Sequence, residues 1–330
     1  MQPLPSHASV SPSRGRFVAA SVALLPTLAL AQGPAPLRLV VTFGVGGIAD
    51  VVARLVAGPL AAELGQPVVV ENRTGASGTI GAQWVAQAPA DGQTLLVGTP
   101  STQLVNPLIY ARLPYDPVRD FVPVSLLAES PVVMVSRPLP GLNGLAAWTA
   151  HAQADPGRLN FASAGAGTTP HLGMELFKLE TGTDILHVPY RSGAEAAAAL
   201  LAGTADLLVE AATVVRPFVQ SGQMQALCAP GPRRCAALPH VATSGEQGLA
   251  SFAVPAPWFG LMAPDGTPAA RVAVLQAAAA RALAQPTLRA QLMERGIEPM
   301  EPGARAYQAT LERDLPVYQR VVRAARITAG

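Results

Sequence analysis

Two short stretches of this chain combine small residues with helix N-termini, and both are suited to hold an anion. The first, Leu37 to Arg54 (LRLVVTFGVGGIADVVAR), reads as a buried strand from Leu37 to Phe43, a turn from Gly44 to Gly47, and then a helix. The apolar run with β-branched Val40, Val41 and Thr42 is the pattern of a strand covered on both faces. Three glycines in four residues let the backbone turn tightly and approach a bound group. The helix behind them offers free N–H groups and the positive end of its dipole.

The second stretch, Ser163 to His171 (SAGAGTTPH), offers small residues, the hydroxyls of Thr168 and Thr169, and another helix start. A carboxylate lying between the two stretches could accept charge-assisted hydrogen bonds from both. The competing reading of Thr168 and Thr169 is simple helix capping. His171 either reaches a cleft or sits in the first helical turn. His171 and Glu175 are four residues apart, but a metal needs a third ligand and none is indicated. Asp50 and Arg54, at the same spacing, read as an ion pair rather than as ligand contacts.

The elements that must carry these stretches alternate. Gln66–Glu71 reads as a second strand, Thr74–Gly81 as a glycine-rich start to a helix running to Ala88, and Thr94–Gly98 as a third strand. Such alternation implies right-handed crossovers and a mostly parallel sheet, with ligands received at the carboxyl ends of the strands. Phe121–Ala128 and Val132–Ser136 are extended runs with no helix between them, so the chain crosses there from one sheet to another. A second series follows: a helix over Leu142–Ala154, strand Leu159–Ser163, a helix from about His171, strand Ile185–Tyr190, a helix through Ala194–Ala202, strand Asp206–Glu210, and a helix–strand pair reaching Cys228. Ala253–Pro264 is the return crossing, and the chain from Pro268 onward is helical, with breaks at Pro286, Gly296 and Pro302. The economical architecture is α/β with two lobes, residues 32–130 with 257–330 and residues 131–256, and a ligand cleft between them.

With 330 residues, 50% hydrophobic and 13% charged, the chain has ample material for buried cores. Residues 1–31 hold Arg14 and Arg16 and no acid, which leaves 21 basic against 21 acidic residues in the remainder. That balance lacks the basic footprint of a nucleic-acid binder. Arg14 and Arg16 precede an apolar run, Phe17–Leu30, and Ala29-Leu30-Ala31 has the form of a signal-peptidase site. The run is shorter than the roughly 20 residues of a membrane span. Residues 1–31 therefore read as a signal peptide cleaved after Ala31, with a retained anchor as the alternative, and the mature chain as periplasmic.

Export permits a disulfide, and Cys228 and Cys235, flanking the turn-rich Ala-Pro-Gly-Pro-Arg-Arg, are candidates for one. Two cysteines without a histidine pattern do not make a zinc site, and no G-x-S-x-G elbow is present for a hydrolase. Gly44-Val45-Gly46-Gly47-Ile48-Ala49 does satisfy G-x-G-x-x-A after a strand, with Glu71 closing the next strand where a ribose-binding acid belongs. A dinucleotide-dependent oxidoreductase is the alternative from a different class. Export, the two-lobe order and the lack of an acid–base pair count against it.

Taken together, several segments resemble the receptors of tripartite tricarboxylate transporters, the Bug or TctC family. They are GVGGIAD (Gly44–Asp50) with Ala53-Arg54, LGQPVVVENRTGASGTIGA (Leu64–Ala82), DGQTLLVGT (Asp91–Thr99), LPYDPVRDFVPVSLL (Leu113–Leu127), HVPYRSGAEA (His187–Ala196) and WFGLMAPDGTP (Trp258–Pro268). The resemblance implies a periplasmic binding protein of type II topology that closes over a small carboxylate, such as a dicarboxylate, an amino acid or an aromatic acid. It implies a non-catalytic, monomeric receptor, without cofactor or metal, that delivers to membrane transporter subunits or a sensor kinase. It also places the ligand against Phe43, Gly46, Gly47 and Ile48 of the first lobe and Ser163, Gly165, Thr168 and Thr169 of the second, with Ser101 and Tyr190 as further lining. Relatives usually carry an aromatic-Pro-Pro before the Gly-Gly pair and a hydroxyl or proline after it. Here Gly44-Val45 and Ile48 stand instead, which points to a smaller or more apolar ligand, and Glu210 stands where relatives often have aspartate.

Overall fold

A computed structural model describes residues 35–329; residues 1–31, read from the sequence as a signal peptide, lie outside the described residues. The first run of elements is β1 (Leu37–Val41), α1 (Ile48–Leu64), β2 (Val68–Asn72), α2 (Thr79–Ala86), β3 (Thr94–Gly98), α3 (Asn106–Ile109) and β4 (Phe121–Glu129). The second is β5 (Val132–Ser136), α4 (Gly144–Ala154), β6 (Asn160–Ser163), α5 (Thr169–Thr181), β7 (Leu186–Pro189), α6 (Gly193–Leu201), β8 (Leu207–Ala211), α7 (Ala212–Gln220) and β9 (Gln225–Cys228). The chain then returns through β10 (Trp258–Pro264), α8 (Ala269–Ala284), α9 (Pro286–Glu294), β11 (Glu298–Pro299) and α10 (Ala304–Ala324).

Two sheets result, ordered β11-β4-β10-β3-β1-β2 and β7-β6-β8-β5-β9. The expected crossing after β4 is present: β4 belongs to the first sheet and β5 to the second, and β10 brings the chain back. The sheets are mixed rather than mostly parallel. β1 runs parallel to β2 and β3, and β6 to β7 and β8, but β10 and β5 are antiparallel to their neighbours. The reason is topological: β5 and β10 arrive from the other sheet, not through a right-handed helical crossover, so nothing obliges them to run with the βαβ strands.

Alternating side chains build the layers. On β1, Leu37, Leu39 and Val41 pack with Val52, Val56 and Leu60 of α1 and with Leu275 and Leu283 of α8, whereas Val40 faces the opposite cluster with Ala82 and Val85 of α2. That opposite cluster is continuous under both sheets, joining Met134, Phe161 and Val209 of the second to Trp258 of the first and Tyr307 of α10. α10 is tied to β10 where the buried Trp258 indole donates to Asp314 at 3.2 Å. A third cluster covers the outer face of the second sheet with α6 and α7.

Cys228 and Cys235 are buried free thiols, not a disulfide. Cys228 packs in the core that runs under both sheets and Cys235 in the outer cluster of the second, so the turn between them separates the sulfurs instead of joining them. Burial pushes the Cys228 thiol up to about 12. Among the described residues no helix is long and apolar enough to cross a membrane.

Candidate functional site

The carboxyl ends of β1 and β6 face one cleft of about 420 Å³. It is lined by Thr42, Phe43 and Gly44 after β1, by Thr74, Gly75, Ser77 and Gly78 after β2, by Ile109 and Tyr110 after α3, by Ala164, Gly165, Ala166 and Thr168 after β6, and by Thr328 and Ala329. Among the described residues no charged side chain lines it. Its polarity comes from hydroxyls and exposed backbone. The volume suits a small molecule.

The glycine turn holds its shape through a buried acid. Asp50, 2% exposed in the first turn of α1, accepts from the Gly46 N–H at 2.9 Å, from Arg54 Nε at 2.9 Å and from Asn72 Nδ2 at 2.9 Å. Asn72 also donates to the Phe43 carbonyl at 3.0 Å. Burial works against the charge on Asp50, but the hydrogen bonds from Arg54, Gly46 and Asn72 outweigh it and hold the carboxyl below the ordinary range. The Asp50–Arg54 ion pair is thus present as the spacing suggests, and it also fixes the turn.

The loop after β2 is backbone-strained. Ala76 and Ser77 have φ of +46° and +54°, between Gly75 and Gly78, which are also at positive φ. Non-glycine residues adopt that region at a cost of about 1–3 kcal/mol each and persist there where surrounding contacts fix them, often at binding sites. Asn106 Nδ2 supplies one such contact, donating to the Ser77 carbonyl at 3.1 Å. Gly78 lies so close to β1 that a Cβ on it would sit 2.8 Å from the Thr102 methyl and 2.9 Å from Thr42 Oγ1. Thr42, beside the cleft, is 1% exposed, and its Oγ1 is buried without a hydrogen-bond partner.

The loop after β6 is held from behind by two histidines. Gly167 N–H donates to His171 Nδ1 at 3.1 Å. Ser163 Oγ, which accepts the Gly165 N–H at 3.1 Å, lies 2.7 Å from His187 Nε2. The two imidazoles stack at 4.1 Å, and His187 stacks on Phe161 at 4.8 Å. Burial, with the neighbouring His187 and Lys178 charges adding to it, lowers His171 to about 3; burial and Lys178 lower His187 to about 4. Both rings are neutral at pH 7. His171 therefore sits in the first turns of α5 and serves the loop rather than the ligand.

The residues expected at the site divide accordingly. Phe43, Gly165 and Thr168 line the cleft together. Gly46 and Gly47 flank it, but their N–H groups are directed to Asp50 and to the Gly44 carbonyl, so their part here is to shape the turn. Ile48 opens α1 and packs partly into the core beside Phe43. Ser163 and Thr169 are buried beneath the loop. Thr168 is the N-cap residue of α5, yet its hydroxyl makes no cap bond and donates to the Gly165 carbonyl at 2.7 Å. Ser101 starts the helical turns after β3 and does not line the cleft; Tyr190 packs on the outer cluster while its N–H reaches the Ser163 carbonyl. Sequence reasoning missed Thr42, Thr74, Ser77, Tyr110 and Thr328. The run TGASG was visible as glycine-rich, but Tyr110 and Thr328 carry no local signal.

Glu210, at the end of β8, is 6% exposed; one oxygen accepts the Ala211 N–H at 2.8 Å and the other has no partner. Burial pushes the group up to about 7, against 4.5 for a free glutamate. The folded state thus prefers the protonated acid, and an unfavourable contribution appears above pH 4.5 and is complete above about 7. The stability difference between Glu210→Gln and the native chain is expected to grow in favour of the variant by about 3 kcal/mol from pH 4 to pH 8. Parallel urea-melt curves across that range would place the titration elsewhere.

A second cavity of about 350 Å³ lies beside the crossings and is lined by Glu129, Arg233, Arg313 and Asp314. Arg233 pairs with Glu129 at 2.9 Å and Arg313 with Asp314 at 2.7 Å, while Arg234, also in the lining, pairs with Glu246 outside it at 2.9 Å and Glu298 accepts the Ala236 N–H at 3.2 Å. Glu71, which a dinucleotide reading would place on a ribose, is ion-paired with Arg73 at 2.6 Å. Among the described residues no group of three metal-ligating side chains comes together.

Two mixed α/β sheets joined by two chain crossings, with a cleft at their strand ends, are the architecture shared with solved two-lobed periplasmic binding proteins. Residues 52–326 match the model of the tripartite tricarboxylate transporter family receptor, and the chain belongs to that family. It is 39% identical to the protein BugT of Bordetella pertussis over 254 residues, covering 77% of this chain and 78% of BugT. Among solved structures it resembles Rpa4515 of R. palustris with adipate (TM-score 0.81, 33% identity, 89% of this chain and 99% of that one). It also resembles MatC of Rhodopseudomonas palustris with bound malate (TM-score 0.78, 33% identity, 88% and 99%). The periplasmic binding protein BugD is similar as well, with TM-score 0.78 and 30% identity over 89% of this chain and 98% of BugD.

Proposed function

We propose that this receptor captures a small carboxylate between residues 32–130 with 257–330 on one side and 131–256 on the other, without catalysing a reaction. The observation that carries the proposal is a cleft that, among the described residues, has no charged side chain and is built from hydroxyls, loop backbone and helix N-termini of both sheets. Such donors hold a carboxylate by charge-assisted bonds and leave the rest of the ligand to be selected by shape. Two similar structures, with adipate and with bound malate, support a dicarboxylate, and Ile48 after the glycine pair favours a compact or partly apolar one. Amino and aromatic acids fit the same donor chemistry. In this reading the chain is exported by its first 31 residues, acts as a monomer, closes about the two crossings, and passes its ligand to membrane transporter subunits or a sensor.

A thermal-shift screen of the chain starting at Gln32 tests this, with mono- and dicarboxylates, amino acids, aromatic acids and NAD. A ligand at about 100 times its dissociation constant adds roughly 2.7 kcal/mol. A shift with carboxylates and none with NAD is the expected result; a shift with NAD alone would return Gly44 to Ala49 to dinucleotide binding. Thr168→Val removes one hydroxyl from the cleft and is expected to weaken the responding carboxylate by about 1–3 kcal/mol in calorimetry. Unchanged affinity would remove Thr168 from the ligand's shell.

A further inference from the structure

We propose that the segment after α10, Arg326–Ala329, is the wall of the cleft that decides which ligands fit, with Thr328 as a specificity-determining residue. The inference rests on the carboxylate-cleft reading and deepens it.

α10 does not run out into solvent. Arg326 turns the chain at φ +50°, a left-handed conformation disfavoured for a residue with a Cβ. Anchors on both sides of Thr328 hold it there. Ile327 is 8% exposed, packs in the core that runs under both sheets, and donates its N–H to the Val322 carbonyl at 3.0 Å. Ala329 donates its N–H to the Ile109 carbonyl at 3.0 Å, which ties the segment to the end of α3. Ile109 in turn packs so closely on the loop after β6 that a Cβ on Gly167 would lie 2.8 Å from its Cδ1. Thr328, fixed between these anchors, keeps an exposed side chain in the cleft lining shared with Phe43 and Thr168.

Where the described lining side chains are all uncharged, one hydroxyl more or less changes which ligand is satisfied. Thr328 offers a donor, two acceptor lone pairs and a methyl group. These suit a small carboxylate with a second hydrogen-bonding group, while the wall itself limits chain length.

Calorimetry on the native chain, Thr328→Val, Thr328→Trp and a chain ending at Ile327 tests the inference. The probes are the α,ω-dicarboxylates from malonate to pimelate and the monocarboxylates of equal length. Thr328→Val is nearly isosteric and is expected to reduce the preference for di- over monocarboxylate at least fivefold. Thr328→Trp should confine binding to the shortest members, and the shortened chain should shift preference toward longer ones at least tenfold. The same order and spacing of affinities in folded Thr328→Val and Thr328→Trp as in the native chain would overturn the inference, even if the shortened chain does not fold. If the native chain binds no carboxylate but another compound of the wider screen, the carboxylate reading fails by itself. The same two variants then test the wall on that compound, and unchanged affinity in both overturns it. Silence from every compound on every chain would overturn both.

Discussion

Acidification from pH 7 to pH 4 is expected to cost the folded chain on the order of 5 kcal/mol through His171 and His187 alone. Both groups are lowered in the fold, to about 3 and about 4, from 6.5 in the unfolded chain. The unfolded state therefore takes up protons first. The stability these rings contribute is fully present above about pH 6.5 and is lost as pH falls through that value toward the folded pKa values. The structural reason is plain. His171 Nδ1 accepts the Gly167 N–H and so must be unprotonated, and the two rings stack at 4.1 Å with Lys178 charged nearby. Glu175, 4.0 Å from His171 Nε2, is the one opposing charge in contact, and Lys178 already holds it at 2.9 Å.

Urea melts of the native chain and of His171→Gln at several pH values check this. The glutamine oxygen can accept the Gly167 N–H without titrating, so the variant should lose a large share of the acid sensitivity. Equal slopes in both proteins would assign the acid limb to carboxylates elsewhere. The loop after β6 carries Gly165 and Thr168 of the cleft, so ligand affinity should fall over the same acid range.

Asp50→Ala is expected to lower folding stability by about 3 kcal/mol and to weaken ligand binding with it. The carboxylate is 2% exposed and accepts from Gly46, Arg54 and Asn72. Alanine leaves the Gly46 N–H and the Asn72 amide without their acceptor, although Arg54, half-exposed, can turn to water. Asp50→Asn keeps the size and one acceptor and should cost roughly half as much. A denaturation midpoint unchanged in Asp50→Ala would mean that the glycine turn needs no such brace. Affinity unchanged in a destabilised but folded Asp50→Ala would separate the turn from ligand capture.

Much of this arrangement is legible in the amino-acid sequence. Thr94–Gly98 and Val132–Ser136 fall where the apolar runs place them, because buried strands of α/β proteins are written as uninterrupted β-branched and aliphatic residues. The glycine turn between β1 and α1 and the small-residue loop before α5 were readable because small residues cluster there, adjacent in sequence, between a strand and a helix. The mixed sheet direction was not readable, since an extended run has no polarity in its pattern: Trp258–Pro264 looks the same whether it runs with β3 or against it. Nor was the separation of Cys228 and Cys235, which depends on the side of the sheet each faces rather than on their spacing.

The sequence by itself determined most of the α/β elements and two of the loops that meet at the cleft, because each is specified by neighbours within a dozen residues. Only the tertiary structure decided which atoms of those loops stay available. It directed the Gly46 and Gly47 N–H groups inward, put His171 and His187 behind the β6 loop, and carried Tyr110 and Thr328 into the lining from helices distant in the chain. Those outcomes depend on hydrogen bonds and packing between residues far apart in sequence. Thr328 shares a cleft with Phe43 because α10 packs across the core beneath both sheets, and no local pattern encodes that meeting.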